Sequence, residues 1–122
     1  MHLTIPIAPS SNKMWRYGRN GVFKTRECKE YQKHIGLLAK VEARKQGWTM
    51  TEGEKIVIYY TYYWPDNRNR DTGNQKKVIN DGLEGVLYDN DRWVLERDMD
   101  FKIDRGNPRI ELKIVKYATN SD

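Results

Sequence analysis

The sequence predicts a single α/β (α+β) domain, a small mixed sheet of about four to five strands carrying two main helices. Three observations lead there. Segments 25–46 and 72–86 repeat apolar residues at three- and four-residue steps, the period of a helix with one buried stripe. The run KIVIYYTYYW, 55–64, is β-branched or aromatic at nearly every position, and shorter alternating segments lie on either side of it. At 122 residues there is room for one core, so the domain is drawn over 1–117, with a frayed tail at 118–122.

Residues 2–7 read as an opening strand with Leu3, Ile5 and Ile7 on one face, and Pro6 argues for an edge position. After the PSSN turn at 9–12, Met14–Tyr17 and Val22–Lys24 suit the arms of a hairpin around Gly18, Asn20 and Gly21. Lys13, Arg16 and Arg19 make this a basic arm. Its Trp15 and Tyr17 either stack on bases or cover the core, and the residues alone support both readings equally. The first long helix should bury Cys28, Tyr31, Ile35, Leu38 and Val41. Thr25 caps its start and Gly47 stops it.

The 55–64 run has no polar face, which predicts a central strand covered on both sides. Pro65 ends it, and the polar loop PDNRNR leads to Asp71 at the strand tip, where α/β proteins gather functional residues. A second helix follows, with Thr72 and Gln75 as a capping box and Val78, Ile79, Leu83 and Val86 facing inward. Segment 93–103 and segment 109–115 complete the strands.

A formal charge of +5 and a pI near 9.3 favour polyanionic partners. One cysteine, Cys28, excludes an internal disulfide and a thiolate zinc site, and it belongs on the buried side of its helix. Two distant histidines, His2 and His34, argue against a histidine metal site. There is no apolar run of about twenty residues to span a bilayer, so no membrane role and a cytoplasmic location are expected.

Chemistry concentrates between Arg68 and Asp91. Hard cations take carboxylate oxygens and phosphates take fixed positive donors, and this stretch carries both. Arg68, Arg70 and Lys76 suit flanking phosphates. A plainer reading makes Asp71 a helix N-cap and pairs Lys77 with Asp81 at the surface.

The order PSSN, then RDTGNQKK at 70–77, DGL at 81–83 and YDNDRWV at 88–94 resembles the RusA-type Holliday junction resolvases over nearly the whole chain. The resemblance implies a homodimeric endonuclease of bacterial or phage-infected cells. It would bind four-way or other branched DNA and nick two opposing strands, with Mg2+ or Mn2+ held by aspartates. By position, Asp71 and Asp91 are the implied catalytic metal ligands, Lys77 the supporting lysine, and Asn74 the asparagine beside the second aspartate of the motif. Asn90 stands where a neighbouring acid is common. The family pattern Asp-x-Asp-Asn reads Asp71-Thr72-Gly73-Asn74 here, so one ligand position is altered. Either another acid, Asp89 or Asp81, completes the site, or cleavage is disabled while DNA binding survives. The alternatives are a non-catalytic branched-DNA-binding protein and an RNA-binding or structural α/β protein.

Overall fold

The most apolar strand lies inside the sheet. In the computed structural model, which describes residues 1–9 and 11–117, the elements are β1 (His2–Ile5), α1 (Ser11–Met14), β2 (Trp15–Gly18), β3 (Gly21–Lys24), α2 (Arg26–Gln46), β4 (Ile56–Trp64), α3 (Thr72–Leu83), β5 (Val94–Ile103) and β6 (Arg109–Lys116). The expected frayed tail at 118–122 lies outside the described residues, as does Ser10 of the PSSN turn. The main sheet has the order β1-β6-β4-β5, and β2 and β3 form a separate ribbon. Strand β4 is antiparallel to β6 and parallel to β5, so the sheet is mixed. The α+β expectation holds.

Ile56, Ile58, Tyr60, Tyr62 and Trp64 alternate along β4 and are buried against the helices. Their rings stack in sequence, Tyr60 on Tyr62 at 6.2 Å and Tyr62 on Trp64 at 5.0 Å between centroids. On the other face Tyr59, Thr61 and Tyr63 are only half-buried, so the expectation of cover on both faces is corrected. No second layer packs there among the described residues. Long cations shield the rings instead: the Arg109 guanidinium lies 3.8 Å from the Tyr63 centroid.

Helix α2 is capped as its sequence requires: the Thr25 hydroxyl accepts the Cys28 N–H at 3.1 Å, and Gly47 adopts φ 72° at the end. Its buried stripe is Cys28, Tyr31, Ile35, Ala39 and Ala43, whereas Val41 is exposed, which corrects the expected stripe. The stripe continues by four-residue steps through alanines, because small residues let the helix axis approach its neighbours. Burial pushes the Cys28 thiol pKa up, as suits a core residue. Helix α3 ends at Leu83, and Val86 packs on the core from the following turn.

The helices cross at Gly82. A Cβ there would meet Ile35 Cδ1 at 2.9 Å and Gln32 Cα at 3.3 Å. Gly82→Ala gains about 1 kcal/mol of helix propensity but overpacks a tight crossing at a cost of about 1–3 kcal/mol. A lower urea midpoint with an unchanged slope is the expected outcome.

Four tyrosines, Tyr31, Tyr60, Tyr62 and Tyr88, have pKa values raised chiefly by burial, and Tyr62 is raised further by donating to Asp98 Oδ1 at 2.9 Å. Their folded values exceed the unfolded value of about 10. The stability linked to them is therefore intact below about pH 10 and falls as pH rises further, because the unfolded chain then releases protons that the fold retains. Tyrosinate absorbance should show these four ionising only as the chain unfolds.

Candidate active site

Pro65 ends β4, and the loop that follows is built on Asp66. Its carboxylate accepts the Arg68 N–H at 3.0 Å and Arg70 Nη1 at 2.8 Å, while the Arg70 guanidinium lies 5.1 Å from the Trp64 ring centroid. The Arg70 hydrogen bond, then that from the Arg68 backbone, holds the Asp66 carboxyl pKa below its usual value. Arg70 therefore fixes the loop, and its guanidinium is already engaged. Arg68 keeps an exposed side chain, its Nε 3.5 Å from Asp66.

This loop delivers Asp71 to the start of α3. Asp71 Oδ1 accepts the Asn74 N–H at 3.2 Å and Oδ2 accepts Asn74 Nδ2 at 3.1 Å, so Asp71 is the N-cap and the expected Thr72–Gln75 capping box is corrected. Gln75 instead is buried, where it accepts the Ala8 N–H at 3.0 Å and donates to the Ala8 carbonyl at 3.2 Å. That clamp closes a groove of about 410 Å³ between the N-terminal segment and α3, lined by Ala8, Met14, Arg68, Asp71 and Asn74 among others. A larger hollow of about 530 Å³ lies on the open face of the sheet, away from these groups.

Gly73 has none of the positive-φ geometry that requires glycine. A Cβ at this position would lie 3.0 Å from Asp71 Oδ1. A side chain at 73 would thus begin beside the Asp71 carboxylate.

The two lysines of α3 have different surroundings. Lys76 is 17% exposed, with Nζ 2.8 Å from Asp98 and 3.7 Å from Glu96, and it lies over the Tyr60 ring. Lys77 stands 5.2 Å from the Trp15 ring centroid and has no ion pair among the described residues. The plainer pairing of Lys77 with Asp81 does not form, because Asp81 takes Lys24 Nζ and Gln32 Nε2. Lys13, Arg16 and Arg19 are exposed around the same ribbon, and none of them is in an ion pair among the described residues. The open question about the aromatics resolves residue by residue: Trp15 is half-buried against the core and beneath Lys77, whereas Tyr17 points to solvent.

Asp91 lies elsewhere. Its N–H donates to Glu84 Oε2 at 3.3 Å, at the far end of α3 from Asp71. Because α3 runs antiparallel to the two parallel strands that it joins, the turn before it and the turn after it occupy opposite ends of the sheet. Twelve helical residues at about 1.5 Å each separate the two acids by roughly 18 Å. A single chain therefore does not bring the two implied ligands, Asp71 and Asp91, together. Asp89 also sits at that far end, accepting the Gly53 N–H at 3.1 Å.

The sequence model of the family described as Endodeoxyribonuclease RusA matches residues 5–115. The chain belongs to the RusA family. Among curated proteins, the "Crossover junction endodeoxyribonuclease rusA" of Enterobacteria phage 82 is 27% identical over 119 residues, covering 96% of this chain and 95% of its own. The protein of that name from Escherichia coli (strain K12) is 26% identical over 118 residues, covering 95% and 94% respectively. That from Shigella sonnei (strain Ss046) is also 26% identical, over the same shares.

The divalent metal expected from the sequence resemblance finds no ready site among the described residues of one chain. At the start of α3 a single carboxylate, Asp71, is engaged in capping, and the described residues contain no group of three or more His, Cys, Asp or Glu arranged to hold an ion. Two features of this RusA site were not readable from sequence. The Trp15–Lys77 contact and the Gln75–Ala8 clamp join residues far apart in the chain, and no local pattern signals either.

Asp71→Asn should leave stability nearly unchanged, since asparagine caps as well as aspartate, whereas Asp71→Ala should cost about 1 kcal/mol. Thermal melts of both variants check the cap independently of any DNA assay.

Proposed function

We propose that this chain is a junction-resolving endonuclease that binds four-way DNA and that Gly73 limits its cutting. The observation that carries the proposal is Lys77, which stands over Trp15 one turn and a half into α3 instead of pairing with Asp81. Unneutralised by an acid, its ammonium can offset charge on a phosphodiester that reaches Asp71 and Asn74. Arg68 on the loop and Lys13, Arg16 and Arg19 around the ribbon bind neighbouring phosphates, which gives affinity with little sequence information. Tyr17 and Phe23 of the ribbon are exposed and can stack on bases at a branch point.

Mg2+ or Mn2+ is the proposed cofactor. Bound, it would activate water and neutralise charge on the reacting phosphate. Asp71 and Asp91 are the proposed ligands, a pair that one chain cannot bring together. Neither acid considered as a replacement for the family aspartate reaches Asp71: Asp81 is held by Lys24 and Gln32, and Asp89 caps the turn at Gly53. Their placement supports the reading in which cutting is impaired and DNA binding retained. The same features suit a protein that only binds branched DNA, the second reading.

A labelled four-way junction tests both. The chain should bind it in chelator in preference to a duplex of equal length, with affinity falling steeply with salt. With Mg2+ or Mn2+, Gly73→Asp should raise nicking roughly a hundredfold, and Asp71→Asn should abolish it. Equal binding of junction and duplex would defeat the proposal, and junction binding with no nicking by Gly73→Asp would establish the second reading.

A further inference from the structure

Asp81 stands one helical turn beyond Lys77, yet the two do not pair, and we propose that the β2–β3 ribbon is what keeps them apart: Trp15 holds the Lys77 ammonium, and Lys24 takes the carboxylate that would neutralise it. The placement stands on the fold, and only the use of Lys77 against a phosphodiester rests on the proposed function. Residues four apart on a helix face each other, so Lys77 and Asp81 are natural partners. Instead the Asp81 carboxylate accepts Lys24 Nζ from the ribbon and Gln32 Nε2 at 3.0 Å from α2. Gln32 closes the set, accepting Lys24 Nζ at 3.1 Å and donating to the Val78 carbonyl at 3.1 Å. The ribbon, α2 and α3 thus meet on one carboxylate.

The register of the ribbon brings the two contacts together. Trp15 and Lys24 are directly opposite across β2 and β3, so both side chains leave the ribbon on one face, and both reach α3. The open end of the ribbon is pinned: the Thr25 N–H donates to the Met14 carbonyl at 2.9 Å, and the Thr25 hydroxyl caps α2. Met14 is buried and Trp15 packs on the core, which fixes where the indole lies. Lys77 Nζ then stands 5.2 Å from the ring centroid, within the range over which an indole face attracts a cation.

Holding a cation on a ring differs from pairing it with an acid. The ring orients the ammonium and leaves its charge intact, whereas a carboxylate cancels it. Lys24 and Lys77 against Asp81 leave a net positive charge beside α3. Without the Lys24 charge, Asp81 would be free to turn to Lys77, and the balance would fall to zero. A lysine that precedes its acid by four residues is the weaker order on a helix, so Lys24, anchored by three elements, keeps the acid. Trp15 and Lys24 are therefore positioning residues, acting on the reaction through Lys77.

NMR of the protein labelled with 13C-lysine tests the placement without DNA or metal. The ε-methylene protons of Lys77, assigned by their loss in Lys77→Arg, should lie upfield of those of the exposed Lys13, because the indole ring current shields them. Trp15→Leu should abolish the displacement and Trp15→Phe should keep part of it, with circular dichroism checking that each variant is folded. Lys24→Gln should reduce the displacement, and adding Asp81→Asn should restore it. Adding instead Glu27→Gln, an equal change in net charge at the exposed start of α2, should not. An undisplaced Lys77 in the wild type, no response to Lys24→Gln, or equal rescue by Glu27→Gln would each overturn the proposal. Single-turnover nicking of a four-way junction with Mg2+, in the Gly73→Asp background, carries the test to the chemistry. Lys24→Gln should slow it about two- to fivefold, the range that one exposed ion pair can redistribute, and Asp81→Asn should restore the rate. Rates that do not follow the displacement would overturn the use of this placement in cutting. A Gly73→Asp chain that does not nick at all would defeat the cutting reading and leave the placement of Lys77 standing on the NMR result.

Discussion

Strands β4 and β5 run parallel, so the chain must return from one end of the sheet to the other between them, and α3 makes that return. From this one constraint the arrangement of charge follows. The loop entering α3 sits where β4 ends, and its carboxylate, Asp71, becomes the cap of the helix. The turn leaving α3 sits where β5 begins, and its polar side chains serve backbone groups, with Asp89 on the Gly53 N–H and Asn90 on the Arg92 N–H. Side chains along α3 can reach the strand to which it leads, which is why Lys76 closes on Glu96 and Asp98.

Buried polar groups hold this arrangement in place. Asn80 on α3 accepts the Tyr60 hydroxyl through its side chain and the Tyr88 hydroxyl through its backbone carbonyl, which ties β4 and the turn after the helix to one residue. Gln75 does the same for the N-terminal segment through Ala8. The described residues contain no buried side-chain nitrogen or oxygen without a partner. An orphaned group of this kind costs about 1–3 kcal/mol, so the network fixes the position of α3 on the sheet and with it the direction of Asp71 and Lys77. The basic residues divide accordingly. Arg70, Lys76, Lys24 and Arg109 are spent on carboxylates within the fold, leaving Lys13, Arg16, Arg19 and Lys77 to face a polyanion.

The elements were legible in the sequence because each carries its own period and punctuation. Thr25 and Gly47 bound α2, Pro65 ends β4, and the alternation of Ile110, Leu112 and Ile114 marks β6. Reading was weaker where size misled. Val41 looks like a core residue, but the stripe runs through Ala39 and Ala43, whose lack of bulk permits the contact. Gly82 looks like a weak point in a helix, yet it is where Ile35 packs. The site was legible as a list of residues and not as an arrangement. Asp71, Asn74 and Lys77 share the first turns of α3, whereas Asp91 reads as near in sequence and is distant in space, because a crossover helix separates its two ends by its full length.

Gly73 leaves Asp71 as the single carboxylate at the start of α3. The backbone at Gly73 does not require glycine, since its φ is ordinary, but a Cβ there would press on the Asp71 carboxylate at 3.0 Å, which must give way slightly. An aspartate there would put two carboxylates side by side at a helix N-terminus. The helix dipole favours each, but their mutual repulsion is relieved only by a cation. With glycine, Asp71 is the one carboxylate at the start of α3, lining a groove that Arg68 also lines, so less negative charge would oppose a phosphate there. Under the proposed function, affinity for a nucleic-acid backbone and the ability to cut it would therefore depend on this position in opposite senses.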